Sequence, residues 1–378
     1  MKNKGIEYSS LESLDVPQLC GIIIVNKERL IHILDNIEGI ERLNLLKSKI
    51  MALKDVISCP TNDENGVLNI DTIENKLSLR KDVFVSELEQ ILESHTINRA
   101  KYYLRRLKSS IRGVKTSNIN DINLLRWKDY DCIITDSLWV LDRRDTSGAH
   151  LAWYWGNFIP QIPHQIMLRY TRKGDWVLDT FLGSGTTLIE CRRLGRNGLG
   201  IELNPKVAQK AKDIIEQERN IDKVVTDVII DDSKNANINA VLEKHKIKCV
   251  QLLIIHPPYY DIVKFSEDQR DLSNAENLEK FLQMFGDAVD NATPFLEKGR
   301  YLALIIGDKY TKGEWIPLGF YCMNEVSKRG YTLKSIIVKN FEETRGKRLQ
   351  KELWRYRALV GGFYVFKHEY IMLFKKSA

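Results

Sequence analysis

Cysteine is sparse in this chain of 378 residues, and its six copies, Cys20, Cys59, Cys132, Cys191, Cys249 and Cys322, are scattered with no C-x-x-C pair. That spacing argues against a structural zinc site and a disulfide framework, and it fits a reducing cytoplasm. No apolar run approaches membrane-spanning length, and the N-terminus lacks a signal-like apolar core. The chain therefore reads as soluble and cytoplasmic, with no membrane partner. Internal repeats and low-complexity tracts are absent too. Acid is in mild deficit, with 50 Asp and Glu against 57 Lys and Arg, a formal net charge of +7. Residues 301–378 hold 15 Lys and Arg against 7 Asp and Glu, an excess as large as the whole chain's. Such a balance is compatible with a polyanionic partner without requiring one. The hydrophobic content of 43% is enough for one large domain and a smaller one.

The most informative stretch is residues 176–205, WVLDTFLGSGTTLIECRRLGRNGLGIELNP. A short apolar run, Trp176-Val177-Leu178, reads as a buried strand ending at Asp179. A Gly-rich turn through Gly183-Ser184-Gly185 follows, then a helix from Thr186, and then a second strand ending in an acid, Glu202. Strand, Gly loop, helix, strand and acid form the unit that holds a nucleoside-bearing cofactor: the glycines admit close backbone approach, and the carboxylate accepts ribose hydroxyls. No Lys follows the glycines, and the pattern is not G-x-G-x-x-G, so nothing here calls for a triphosphate or a pyrophosphate.

Residues 250–260, VQLLIIHPPYY, supply the second signal. A fully apolar strand runs into His256-Pro257-Pro258-Tyr259. Two prolines remove two N–H donors and leave carbonyls free to accept, and an aromatic ring able to stack follows at once. An exocyclic amine held between acceptors, with its base against Tyr259, suits that arrangement. No Pro-Cys pair supplies the nucleophile that attack at a ring carbon would need, since Cys59 precedes its proline.

The two motifs together resemble the S-adenosylmethionine-dependent DNA amino-methyltransferases of the adenine-N6 and cytosine-N4 class, with Thr180 in place of the usual Pro and His256 in place of Asp, Asn or Ser. The resemblance covers about residues 153–376. It implies an α/β fold, a Rossmann-like seven-stranded methyltransferase sheet with helices on both faces and one reversed edge strand. It further implies S-adenosyl-L-methionine as cofactor and double-stranded DNA as partner, and leaves open whether a cognate restriction endonuclease accompanies it. By the same resemblance Asn157, Phe158, Pro160, Asp179, Phe181, Gly183, Ser184, Gly185, Thr186, Thr187, Glu202 and Asp232 hold the cofactor, while His256, Pro257, Pro258 and Tyr259 carry the chemistry. The expected reaction is methyl transfer to a base flipped from duplex DNA, adenine N6 ahead of cytosine N4 on frequency alone, since a neutral imidazole accepts from either amine. An RNA base amino-methyltransferase and a non-catalytic nucleic-acid-binding protein are the alternatives.

Outside these motifs, residues 1–120 read as a mostly helical N-terminal region for target recognition, dimerisation or support, and 121–378 as the catalytic domain. Apolar spacing puts helices within 30–53 and 83–92, and strand-like residues fill 130–141. Residues 98–115 interleave seven cations, Arg105 and Arg106 among them, with aromatic and aliphatic residues and no acid. That pattern suits either a solvated helix docked on a core or one contacting phosphates. Residues 341–367 connect two closing antiparallel strands and carry Arg345, Lys347, Arg348 and Arg357 among aromatics, as a loop facing nucleic acid would.

Overall fold

The structure, a computed structural model, describes residues 21–59, 63, 66–340 and 351–377. The chain divides into two compact units after Cys132. The first unit comprises β1 (Ile22–Asn26), α1 (Lys27–Glu38), α2 (Leu43–Ser58), β2 (Lys76–Arg80), α3 (Lys81–Leu92) and α4 (Ile97–Arg112). β1 and β2 pair antiparallel, and the four helices close on one core that includes Leu30, Leu34, Ile50, Leu88, Leu104 and Ile111. In α4 the residues Ala100, Leu104, Leu107 and Ile111 recur every three or four positions, so one stripe is buried and the cations fall outside it.

The second unit is a layered α/β domain. In chain order it holds β3 (Leu138–Trp139), α5 (Gln161–Tyr170), β4 (Trp176–Asp179), α6 (Thr186–Leu194), β5 (Asn197–Glu202), α7 (Pro205–Gln217), β6 (Thr226–Ile230), α8 (Ile238–Lys244) and β7 (Val250–Ile255). It continues with α9 (Leu278–Ala292), β8 (Leu296–Ile306), β9 (Lys309–Thr311), β10 (Glu314–Ile316), α10 (Leu318–Lys328), β11 (Tyr331–Asn340), α11 (Lys351–Gly361) and β12 (His368–Lys376). Eight strands form one sheet in the order β3-β11-β12-β8-β7-β4-β5-β6. Only β12 runs against its neighbours. This is the Rossmann-like arrangement, in which the chain order reverses between β4 and β7.

Strand composition explains why the sheet is covered on both faces. β7 is almost wholly apolar, as a strand buried on both sides must be. Its Leu253 and Ile255 pack with Phe281 and Phe285 of α9 and Leu318 and Cys322 of α10. The alternate Leu252 and Ile254 pack with Ile162 and Ile166 of α5 and Cys191 and Leu194 of α6. Phe281 and Phe285 are fully buried, and each contributes on the order of 2–3 kcal/mol. Among the described residues no helix is long and apolar enough to cross a membrane.

Three details depart from expectation. Residues 130–141 contribute only the two-residue β3, which makes the sheet eight-stranded. The backbone before β3 is satisfied by side chains instead of a ladder: Ile134 N–H donates to Gln165 Oε1 (2.8 Å), and Arg169 Nη1 donates to the Ile134 carbonyl (3.2 Å). The reversed strand β12 is internal, because β11 and β3 add beyond it. The connection 341–367 is not all loop, since α11 occupies 351–361 of it.

Candidate functional site

β4, β5, β6, β7 and β8 all present their carboxyl ends on one side of the sheet, and a cavity of about 740 Å³ opens there, beside the point where strand order reverses. Its wall includes Thr180 after β4, Glu202 at the end of β5, Asp232 after β6, His256 after β7 and Asp308 after β8. Because β12 is reversed, its first residues, His368 and Glu369, reach the same rim as Lys339 and Asn340 at the end of β11.

The Gly loop is shaped from beneath. Asp179, 1% exposed, accepts the Phe181 N–H (3.0 Å) at one oxygen and the Thr187 hydroxyl at the other. Burial raises its carboxyl to about 6, with the two hydrogen bonds opposing the rise. Gly185 takes φ +85°, and a Cβ there would come within 2.8 Å of Ile215. Both constraints demand glycine. Gly183 then donates its N–H to Glu202 Oε2 (2.9 Å), and Asn204 N–H donates to Oε1 (2.9 Å). Burial raises Glu202 to about 7 despite those two donors. Each of its oxygens keeps a lone pair for a ligand hydroxyl.

Opposite the loop, the Asn157 side chain accepts from Ser184 Oγ (3.2 Å) and Arg144 Nη2 (3.1 Å), and donates to the Tyr154 carbonyl (3.1 Å). Tyr154 stacks on Phe265 at 5.6 Å. Among the described residues Thr180 Oγ1 and Asp232 Oδ2, both buried on the cavity wall, have no hydrogen bond, the latter with Lys234 Nζ 3.4 Å away. Such orphans are costly unless a ligand or water meets them.

Of the residues tied by resemblance to the cofactor, Asn157, Phe158, Phe181, Gly183, Ser184, Thr186, Glu202 and Asp232 line the cavity, as do His256, Pro257, Pro258 and Tyr259. Asp179, Gly185 and Thr187 lie behind it and shape the loop, and Pro160 sits at the start of α5. His256 lies between Phe158 (ring centres 4.8 Å apart) and Tyr259 (5.6 Å, edge-on). Burial pushes its imidazole down to about 3. Among the described residues no hydrogen bond claims the Pro257 carbonyl.

Sequence reading passed over Lys339 and Glu369, which stand behind Tyr259. The signal available for them is local: each is a charged residue next to an apolar run, Ile336-Ile337-Val338 in β11 and Tyr370–Phe374 in β12. It also passed over Glu190, which bridges His150 Nε2 (2.6 Å) and His164 Nδ1 (2.7 Å) while Arg193 joins it to Asp145. Burial would raise Glu190, but the two imidazoles prevail and hold it at about 2.

The cations assigned to nucleic acid separate. Arg345, Lys347 and Arg348 lie outside the described residues. Arg357 is exposed on α11, with its guanidinium 5.1 Å from the Trp354 ring. Arg105 pairs with Glu38 (3.0 Å) and Arg106 with Glu87 (2.5 Å) inside the first unit.

Residues 97–213 match the family described as DNA methylase, a stretch that begins with α4 and includes the Gly loop and Glu202. Among curated proteins, the chain is similar to Type II methyltransferase M.MjaII of Methanocaldococcus jannaschii, 44% identical over 52 residues, 14% of this chain and 10% of that one. It is also similar to M.BglI of Bacillus subtilis, 32% identical over 139 residues, 35% of this chain and 36% of that one. M.Cfr9I of Citrobacter freundii is 34% identical over 82 residues, 22% of this chain and 26% of that one. The resemblance to the DNA amino-methyltransferases holds. These matches span between 10% and 36% of the methylases compared. A solved precorrin-6y C5,15-methyltransferase from Geobacter metallireducens aligns at 12% identity and a TM-score of 0.38, over 62% of this chain and 96% of that one. The methylase match ends before Asp232 and before His256–Tyr259.

Proposed function

We propose that this protein is a site-specific DNA methyltransferase, moving a methyl group from S-adenosylmethionine to the exocyclic amine of a base in duplex DNA. The observation that carries the reading is that the Gly loop after β4 and His256-Pro257-Pro258-Tyr259 after β7, on neighbouring strands, open into one cavity. The cavity fits a nucleoside cofactor: Glu202 offers lone pairs suited to ribose hydroxyls, and the Asp232 oxygen and Thr180 hydroxyl on its wall carry no hydrogen bond within the protein. S-adenosylmethionine, when bound, supplies an electrophilic sulfonium methyl. The aromatic wall of Tyr154, Phe181 and Phe158 keeps water from that end of the site.

A base amine is a weak nucleophile because its lone pair is delocalised into the ring. His256 and the Pro257 carbonyl accept its two N–H bonds, which draws the nitrogen towards tetrahedral geometry and makes the pair available. These contacts strengthen as positive charge develops on nitrogen, so they act on the rate and not only on binding. Adenine N6 and cytosine N4 present the same two protons to this pair of acceptors. Phosphate contact falls to the exposed Arg355 and Arg357 of α11 with Arg345, Lys347 and Arg348, and target recognition to the first unit. Incubation with labelled S-adenosylmethionine and mixed DNA or RNA, followed by nuclease digestion and mass spectrometry, tests the reading. A methylated deoxyadenosine or deoxycytidine amine supports it. Label in RNA alone, or nowhere, defeats it.

A further inference from the structure

An imidazole differs from the Asp, Asn or Ser it replaces in one respect: it is an acceptor at only one of its nitrogens, and the tautomer decides which. The structure contains a chain of groups that makes the choice. Lys339 in β11 and Glu369 in β12 are cross-strand partners. Their Nζ and Oε1 lie 3.0 Å apart, with side chains 5% and 4% exposed. The second carboxylate oxygen, Oε2, accepts the Tyr259 hydroxyl at 3.0 Å. A carboxylate offers only lone pairs, so the phenol donates in that direction and its own oxygen is left to accept. That oxygen is 3.3 Å from His256 Nε2.

We infer that Glu369, acting through Tyr259, fixes the proton of neutral His256 on Nε2 and leaves Nδ1 as the bare acceptor for the target amine. Among the described residues no hydrogen bond occupies Nδ1, and His256 lines the cavity. Phe158 packs against the ring at 4.8 Å and restrains its rotation. Lys339 acts one step further back by holding Glu369 Oε1, which sets the carboxylate's orientation. Glu369 and Lys339 are thus positioning residues. The last step, from tautomer to amine, rests on the proposed methyl transfer, whereas the tautomer itself does not.

The test separates the two. Long-range proton–nitrogen correlation spectra of protein labelled with 15N-histidine distinguish a protonated ring nitrogen from a bare one, and His256→Asn identifies which signals belong to His256 among the seven histidines. The parent should show His256 protonated at Nε2. In Glu369→Gln, the single carbonyl oxygen stays with the Lys339 ammonium and the amide turns its N–H towards Tyr259. The phenol must then donate to Nε2, and the ring proton moves to Nδ1. The same variant should lose about tenfold or more in kcat while its affinity for S-adenosylmethionine stays within about twofold. Tyr259→Phe, which removes the relay without reversing it, should give both tautomers. A parent protonated at Nδ1, or a Glu369→Gln variant still protonated at Nε2, overturns the inference whether or not the protein methylates anything. If Glu369→Gln fails to fold, Tyr259→Phe decides: an unchanged tautomer overturns the inference and a mixture upholds it. A parent that shows the expected tautomer and methylates no base defeats the proposed function alone.

Discussion

The two units treat charge in opposite ways. In the first, the cations of α4, exposed at Arg105 and Arg112 and largely covered at Lys101 and Lys108, meet acids of the same unit: Lys101 with Glu41 (2.6 Å), Arg105 with Glu38 (3.0 Å), Lys108 with Asp35 (2.5 Å), and Arg112 with Asp35 (2.5 Å). In the second, titratable groups are carried inside, among them Asp179 at 1% exposure, Glu190 at 1%, Glu369 at 3% and Lys339 at 4%. A surface pair contributes about 0–1 kcal/mol and is easily replaced, whereas a buried charge costs several kcal/mol unless its partners are placed well. The contrast teaches where to look for function. Buried charged groups of the second unit lie at the cavity, as Lys339 and Glu369 do, or behind it, as Asp179 does, whereas the cations of α4 are neutralised within the first unit.

The largest expected effect lies at the cavity. His256→Ala should lower single-turnover methyl transfer by about a hundredfold or more, the scale of a lost proton-handling group, with little change in cofactor affinity. Replacing Arg105 and Arg106 together should leave that rate alone. Equal losses in the two variants would erase the contrast between the units. The pH profile sharpens it: with burial holding His256 at about 3, its protonation should produce no acid limb between pH 5 and 8.

Next comes Glu190. Its folded value of about 2 lies below the ordinary 4.5, so its contribution is fully present above pH 4.5 and is lost as pH falls through that window towards 2. The shift corresponds to roughly 3 kcal/mol. Denaturant unfolding of Glu190→Gln should show a loss of that order at neutral pH and a shallower acid dependence than the parent. A loss below about 1 kcal/mol would place this buried cluster with the surface pairs of the first unit.

Glu202 follows. Glu202→Ala should weaken S-adenosylmethionine binding by about 1.5–3 kcal/mol, the scale of hydrogen bonds to a charged group. Its carboxyl sits at about 7, and hydroxyl donors favour the ionised form. Affinity in the parent should therefore weaken as pH falls through 7 and level off above it. Calorimetric titration across that range checks both, and a flat profile would remove Glu202 from the ribose.

Much of the second unit was legible in the sequence because its signals are local. Leu-Leu-Ile-Ile in β7 declares burial on both faces, Gly183 and Gly185 declare a turn that other residues enter only with strain, and Glu202 ends its strand. What escaped depends on contacts far apart in the chain. Tyr259 meets Glu369 across 110 positions, and His150 meets Glu190 across 40, and no periodicity encodes either. Residues 130–141 misled for the same reason: their apolar run has strand propensity, yet Gln165 and Arg169 of α5 supply the hydrogen bonds a ladder would have supplied. The basic helix α4 was ambiguous by construction, since composition reports cations and not the acids folded against them.

That ambiguity sets the smallest and most discriminating comparison, α4 against α11. Both helices interleave cations with aromatic residues, and the sequence puts 341–367 ahead of 98–115 as the phosphate-facing segment. Among the described residues neither Arg355 nor Arg357 has a carboxylate partner, and both are exposed. Arg105 and Arg106 already hold Glu38 and Glu87, so a phosphate would have to displace an acid and leave it unpaired. Each phosphate contact removed should reduce the log–log dependence of DNA affinity on salt by about 0.9. Arg355→Ala with Arg357→Ala should therefore flatten the slope by up to about 1.8. Arg105→Ala with Arg106→Ala should leave the slope unchanged and destabilise the first unit by about 0.2–1 kcal/mol per pair. Fluorescence anisotropy over a salt series reads the first quantity and denaturant unfolding the second. A flattened slope from the α4 variant would mean that its ion pairs open on DNA, and the division of charge between the two units would not survive it.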